Sequence, residues 1–257
     1  MSRRRSRLRW APPAITVTLL AAWEIAGQRG LASALFFPAP SIVFAKLGAL
    51  VASGELALHF SVTLSRMCLA LAWGGGFGLV LGIALGLSPR LRALVDPFIA
   101  AFHPVPKLSL LPLVMLIFGI GYFSKALVVA ISVFFPLVIN SMAGVLQIDR
   151  NYLDVARLHG ATRWRIFWRV VLPAGLPMIL AGTRMAMNRA LGATIGLELI
   201  TAQNGLGSML FFAWQTFRTE ELYATIFVIA AFGYGFRRIV NAVAARLVPW
   251  HEDPRGV

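Results

Sequence analysis

RNYLDVARLHGATRWRIFWRVVLP, residues 150–173, is a basic interruption in a largely apolar chain. It carries Arg150, Arg157, Arg163, Arg165 and Arg169. Its pattern predicts a short amphipathic helix from Tyr152 to His159, a break at Gly160 and a second basic helix. Apolar sequence resumes at Pro173. A water-facing basic hairpin between membrane spans has two uses: it holds lipid head groups, or it holds another protein.

The rest of the chain supplies the spans. Of 257 residues, 58% are apolar and only 13% are charged, against about half and a quarter in soluble domains. Mean hydropathy is +0.76. Both departures point to an integral membrane protein. The net charge of +14 is strung between apolar runs with no aromatic-interleaved basic surface, which argues against nucleic acid. Cys68 is the only cysteine, so no intrachain disulfide can form, and within an apolar run it reads as a small buried hydrophobe.

A basic tail, residues 1–10, with five arginines precedes a single transmembrane domain, residues 11–257. The first span runs from Ala11 to Ala26, with Pro12 and Pro13 at its start, where proline suits a helix N-terminus. The chain is read as keeping this span, although Ala32-Ser33-Ala34 resembles a leader cleavage site. Glu24 sits near its outer end. Pro38 and Pro40 break the connection that follows, and Ser41 is placed to cap a surface helix.

The second span, about His59 to Leu87, contains Gly74, Gly78, Gly82 and Gly86, a fourfold repeat that bares one helix face for close backbone approach. We read this ridge as packing within one subunit, with a subunit–subunit contact as the alternative. Phe98 to Gly121 is interrupted by Pro104, Pro106 and Pro112, and broken membrane helices need protein or a water-filled path around the freed backbone. Lys107 and His103 in that break either sit at the cytoplasmic mouth or line the path. A fourth span covers Ala126 to Ile148, with a kink expected at Pro136.

The fifth span, about Ala174 to Ala202, carries Arg184, Arg189 and Glu198. Arg184, Asn188, Leu191 and Glu198 project onto one helical face, with Gly182, Ala186, Ala193 and Gly196 roughly opposite. Intramembrane charges cost at least ~2.5 kcal/mol each on insertion scales, so they need partners or water. Arg184, Asn188, Glu198 and Lys107 are therefore candidates for a translocation pathway, with satisfied structural charges as the other reading. A glycine-punctuated re-entrant or surface segment, 201–221, leads to a last span from Leu222 to Phe236 and a basic amphipathic tail. Basic residues concentrate on alternate connections, which puts both termini and the 150–173 hairpin in the cytoplasm.

Asp154-Val155-Ala156, three residues, Gly160, nine residues, Val170, one residue, Leu172-Pro173 resembles the EAA loop of ABC importer permeases. That pattern runs Glu-Ala-Ala, three residues, Gly, nine residues, Ile, one residue, Leu-Pro. Here Asp154, Val155 and Val170 replace Glu, Ala and Ile, and Asp154 reaches one methylene less far. FPAPSIV, HPVPKLSLLPLVMLIFGIG, FFPLVINSMAGV and NGLGSML are similar to the sulfonate/nitrate/taurine branch of these permeases.

The resemblance implies an all-α, six-helix permease of the type I importer kind, working as a homodimer in the bacterial inner membrane. It implies two cytoplasmic ABC ATPase subunits carrying ATP and Mg, and a periplasmic or lipid-anchored solute-binding protein. It also implies a small organic anion as solute (an aliphatic sulfonate, taurine or nitrate), with vitamin-precursor pyrimidines as the alternative. The sequence has no GxxxxGK[ST] loop and no Gly-Lys pair, and no His/Cys/carboxylate cluster with metal spacing. It is therefore read as a transport subunit with no cofactor or metal of its own. An ion-driven transporter or channel would use the intramembrane charges but leave the hairpin unexplained. A lipid-anchoring loop would use the arginines but require neither Gly160 nor the spacing to Val170.

Overall fold

A computed structural model describes residues 2–31, 33, 35–201 and 203–250, with side chains from residue 14 onward. Ala32 and Ala34 of the leader-like site, the arginine side chains of the N-tail and Ala202 lie outside the described residues.

Every regular element among the described residues is helical. In chain order they are α1 (Ser2–Gln28), α2 (Pro40–Ala52), α3 (Glu55–Leu87), α4 (Pro89–Phe102), α5 (Leu111–Phe118), α6 (Tyr122–Leu146), α7 (Arg150–Leu158), α8 (Arg163–Thr201), α9 (Leu206–Gln215) and α10 (Thr219–Leu247). Four of them, α3, α6, α8 and α10, are long and apolar enough to cross a membrane. Helix α4 with Lys107–Phe118, bent by 92° at the proline-rich break, is apolar enough to form either a fifth, broken span or a re-entrant loop. The expected first span falls on α1, whose described apolar part is Ala14–Gln28. Its backbone is helical from Ser2 rather than from Pro12.

Contacts divide the chain into two compact units. The first, Met1–Ser61 with Glu198–Ala230, packs Val43, Leu50, Met209 and Ala224 into a small core. The Trp23 ring stacks on Phe227 at 6.2 Å. Helix α2 begins at Pro40, two residues earlier than a Ser41 cap would place it, with Ala39 in the cap position. The capping acceptor is Glu24, which takes the Ser41 N–H at 2.9 Å and the Ser41 hydroxyl at 2.7 Å. A carboxylate at a helix N-terminus is favoured by the orphan N–H groups there. Glu221, 2% exposed, pairs with Lys46 at 3.2 Å and Arg218 at 3.0 Å.

The second unit, Val62–Leu197 with Ala231–Val257, holds the main core around Met67, Val128, Val133, Leu137, Ala186 and Leu197. Its tightest seam is the glycine ridge of α3 against α6. A Cβ on Gly74 would overlap the Ala130 backbone; one on Gly78 would lie 2.6 Å from the Phe134 oxygen, and one on Gly82 2.5 Å from the Val138 oxygen. On Gly86 it would meet Val145 Cβ at 2.5 Å. The α6 backbone groups met, at Ala130, Phe134, Val138 and then Met142 (its oxygen 3.2 Å from a Cβ on Gly86), step by four residues like the glycines, so the ridge packs within this chain. Across α6, a Cβ on Gly182 of α8 would meet Asn140 at 2.6 Å, while Ala186 and Ala190 are fully buried.

Candidate functional site

The hairpin is built by caps at each turn. The Asp149 carboxylate accepts the Asn151 N–H at 2.9 Å and starts α7. At the other end Gly160 takes φ +71°. Its N–H donates to the Arg157 oxygen at 2.9 Å, and the Ala161 N–H to the Ala156 oxygen at 3.0 Å. That paired pattern is a Schellman termination, which a left-handed glycine makes possible. Thr162 then caps α8, its hydroxyl accepting the Arg165 N–H at 3.4 Å. The predicted second basic helix is thus the start of the fifth span. It widens into a π turn over Phe167–Val171 before Pro173, which gives the proline ring room in a backbone it would otherwise clash with. Val170, Leu172 and Pro173 are half-buried along this entry.

What the hairpin exposes is mixed in character. Tyr152, Val155 and Leu158 stand out from α7, Leu158 by 85%, while Ala156 is half-buried. Asp154 pairs with Arg157 at 2.9 Å on its own helix, both side chains more than half exposed. Such a surface pair contributes about 0–1 kcal/mol, so a partner can displace it at little cost. Trp164 and Trp168, rings 5.4 Å apart, are interleaved with Arg163, Arg165 and Arg169, the mix of aromatic and basic side chains found where membrane helices meet water.

Three cavities run in series along α8. A cleft of about 880 Å³ opens beside the hairpin at Asp149 and Tyr152 and reaches Arg184. Arg184 also borders a space of about 260 Å³ shared with Asn188, Phe236 and Arg237. Asn188 in turn borders a cavity of about 630 Å³ lined by His103, Lys107, Ser132, Phe135, Arg189 and Gly192, among others. Arg184 and Asn188 are thus brought together, about 6 Å apart along the helix at 1.5 Å per residue.

Glu198 is not part of this series. It is fully buried, its carboxylate accepts the Gly207 N–H at 3.0 Å and its backbone oxygen the Ser208 hydroxyl at 3.1 Å. A Cβ on Gly205 would overlap its carboxyl. Glu198 thus holds the start of α9, a role the helical projection of α8 does not reveal.

Lys107 lines the third cavity, yet its ammonium donates to the oxygens of Phe102 (2.6 Å), His103 (2.9 Å) and Val105 (2.6 Å). An ammonium has three protons, and these three carbonyls at the end of α4 engage them all. The Phe135 ring lies 4.4 Å below it. Lys107 therefore fixes the break and adds positive charge without a donor to spare. Arg189, exposed on the same wall, was missed by the helical projection because it lies off the Arg184–Asn188 face. The available signal was a third cation in spans that offer few carboxylates. Among the described residues, no three His, Cys, Asp or Glu side chains gather as a metal site.

Apolar helices, a bent helix pair, a cavity series and a capped, exposed hairpin fit a polytopic membrane protein. The family described as "Binding-protein-dependent transport system inner membrane component" matches residues 74–250. The taurine transport system permease protein TauC of Escherichia coli (strain K12) is 36% identical, covering 97% of this chain and 95% of that protein. A putative aliphatic sulfonates transport permease protein, SsuC of Bacillus subtilis (strain 168), is 31% identical over 94% of this chain and 88% of its own. The formylaminopyrimidine transport permease protein ThiX of Halalkalibacterium halodurans is 27% identical over 97% and 99%. Among solved structures, an inward-facing conformation of the MetNI methionine ABC transporter aligns with a TM-score of 0.64 at 17% identity, covering 72% of this chain and 93% of that one. The chain belongs to the binding-protein-dependent transport inner-membrane family: it is an ABC importer permease with the type I importer fold.

Proposed function

We propose that this permease imports a small organic anion, an aliphatic sulfonate or taurine before nitrate, by alternating access powered by a partner ATPase. Two copies form the pathway and two cytoplasmic ABC ATPases bind ATP and Mg. A periplasmic or lipid-anchored binding protein delivers the solute. This chain contributes no catalytic residue, cofactor or metal. Both termini and the hairpin face the cytoplasm, by the distribution of arginines.

The observation that carries this reading is the hairpin. Its helix is capped at both ends, stands into water and presents Tyr152, Val155 and Leu158 with Asp154 beside them. Exposed apolar side chains at the edge of a membrane protein mark a partner site. Asp154, Val155 and Ala156 supply the docking face and Gly160 the reversal. Val170, Leu172 and Pro173 pass the displacement into α8. The cavity series from Arg184 through Asn188 lies on that same helix, so a push at α7 reaches the pathway through one rigid element.

Co-purification tests this. The chain expressed with a cognate ATPase should retain it through affinity purification, and Asp154→Lys should release the ATPase while leaving the permease in the membrane. Retention of the ATPase by that variant, with normal uptake, refutes the docking assignment. The likeness to a pyrimidine permease supports a second solute class, and competition of labelled taurine uptake by formylaminopyrimidine separates the two.

A further inference from the structure

We infer that Arg189 is the residue that holds the anionic head group of the solute, in the 630 Å³ cavity between the α4–α5 break and α8. The inference rests on the import of sulfonate-class anions proposed above and adds the site and the contact. Lys107 and Arg189 share the wall with Asn188, Ser132 and His103, and among the described residues no Asp or Glu lines it. Two cations facing one small space without a carboxylate repel each other, and an anion between them removes the penalty.

Of the two, only Arg189 has donors to offer, since the Lys107 ammonium is spent on Phe102, His103 and Val105. A guanidinium presents a planar fork of N–H groups that matches two oxygens of a sulfonate. Asn188, one residue before it and also exposed, brings an amide donor. The Ser132 hydroxyl donates to the Val128 oxygen at 3.0 Å and keeps lone pairs for an amine or water on the solute. The apolar side of the cavity, Leu108, Phe135 and Ala193, suits a short alkyl chain.

The test uses thiol labelling and needs neither ATP nor a partner. A cysteine at Gly192 lines the cavity, and nothing lies within 4 Å of where its Cβ would sit. Cys68, which is exposed rather than buried as its apolar run suggested, is first replaced by alanine. The full chain in nanodiscs is treated with anionic sulfonatoethyl or cationic trimethylammonioethyl methanethiosulfonate, each rate scaled to a free thiol. We expect the anionic reagent to be favoured by about tenfold, the low end for a cavity of one charge sign. Arg189→Gln should cut that preference at least threefold while Arg189→Lys keeps it, and taurine should protect against the anionic reagent.

An unchanged preference in Arg189→Gln overturns the assignment. Protection by phosphatidylglycerol but not taurine also overturns it, and makes the cavity a lipid site. ATP-driven taurine uptake by the wild-type complex is scored separately, so a failed subsite and a failed importer reading give different results.

Discussion

Replacing Gly160 should separate ATP hydrolysis from transport, with a magnitude set by one dihedral angle. Gly160 sits at φ +71°, where an L-residue with a Cβ costs roughly 1–2 kcal/mol. Nothing lies within 4 Å of a Cβ built there, so crowding adds nothing and the penalty is conformational alone. At 1.4 kcal/mol per tenfold, Gly160→Ala lowers the fraction of hairpins in the docking geometry by about five- to thirtyfold where that geometry is only marginally favoured. Apparent affinity for the ATPase falls by the same fraction. Gly160→Val should do worse, since β-branched residues are the least tolerant of positive φ, and Gly160→Asn should retain most function. The assay is the ratio of labelled taurine uptake to ATP hydrolysed in proteoliposomes, with membrane content held equal by immunoblot. The order wild type, Asn, Ala, Val is expected. A valine variant that transports like wild type, or an asparagine variant as impaired as valine, would falsify the reasoning.

Two further outcomes follow from packing. Gly82→Ala places a Cβ 2.5 Å from the Val138 oxygen and 2.7 Å from Ser141 Cβ, an overpacking worth about 1–3 kcal/mol. Gly76→Ala in the same helix meets nothing within 4 Å and should be neutral or slightly stabilising; equal melting temperatures for the two in detergent would refute the seam. In the other unit, Glu221→Gln removes the charge facing Lys46 and Arg218. Because those cations are 29% and 47% exposed, they rehydrate, and the loss should be about 1–3 kcal/mol rather than the full penalty of a buried pair. Thermal melting checks it, and an unshifted midpoint would mean that the ion pairs contribute nothing.

Much of the chain is legible in one dimension because helices in a membrane satisfy their own backbone and announce themselves by apolar length. The spans, the bend at the prolines, the fourfold glycine ridge and the break at Gly160 are all local patterns of that kind. Boundaries are less legible. Helix α2 starts at Pro40 with Glu24, seventeen residues before Ser41, supplying the capping acceptor, a tertiary partner that no capping rule for a local Ser41 could name. Glu198 projects onto the same face as Arg184 and Asn188, yet it turns to the backbone of Gly207 because a buried carboxylate takes the nearest orphan N–H groups.

The sequence by itself determined that this chain is a membrane protein with a basic hairpin, and spacing alone pointed to the family. Side-chain type and periodicity are carried along the chain, so they survive without coordinates. Only the tertiary structure decided how the charges are spent. It showed that Lys107 is consumed by three carbonyls and Glu198 by the start of α9, and that Arg189 lines a cavity, exposed. Hydrogen-bond supply is settled between elements distant in sequence, and no periodicity records it.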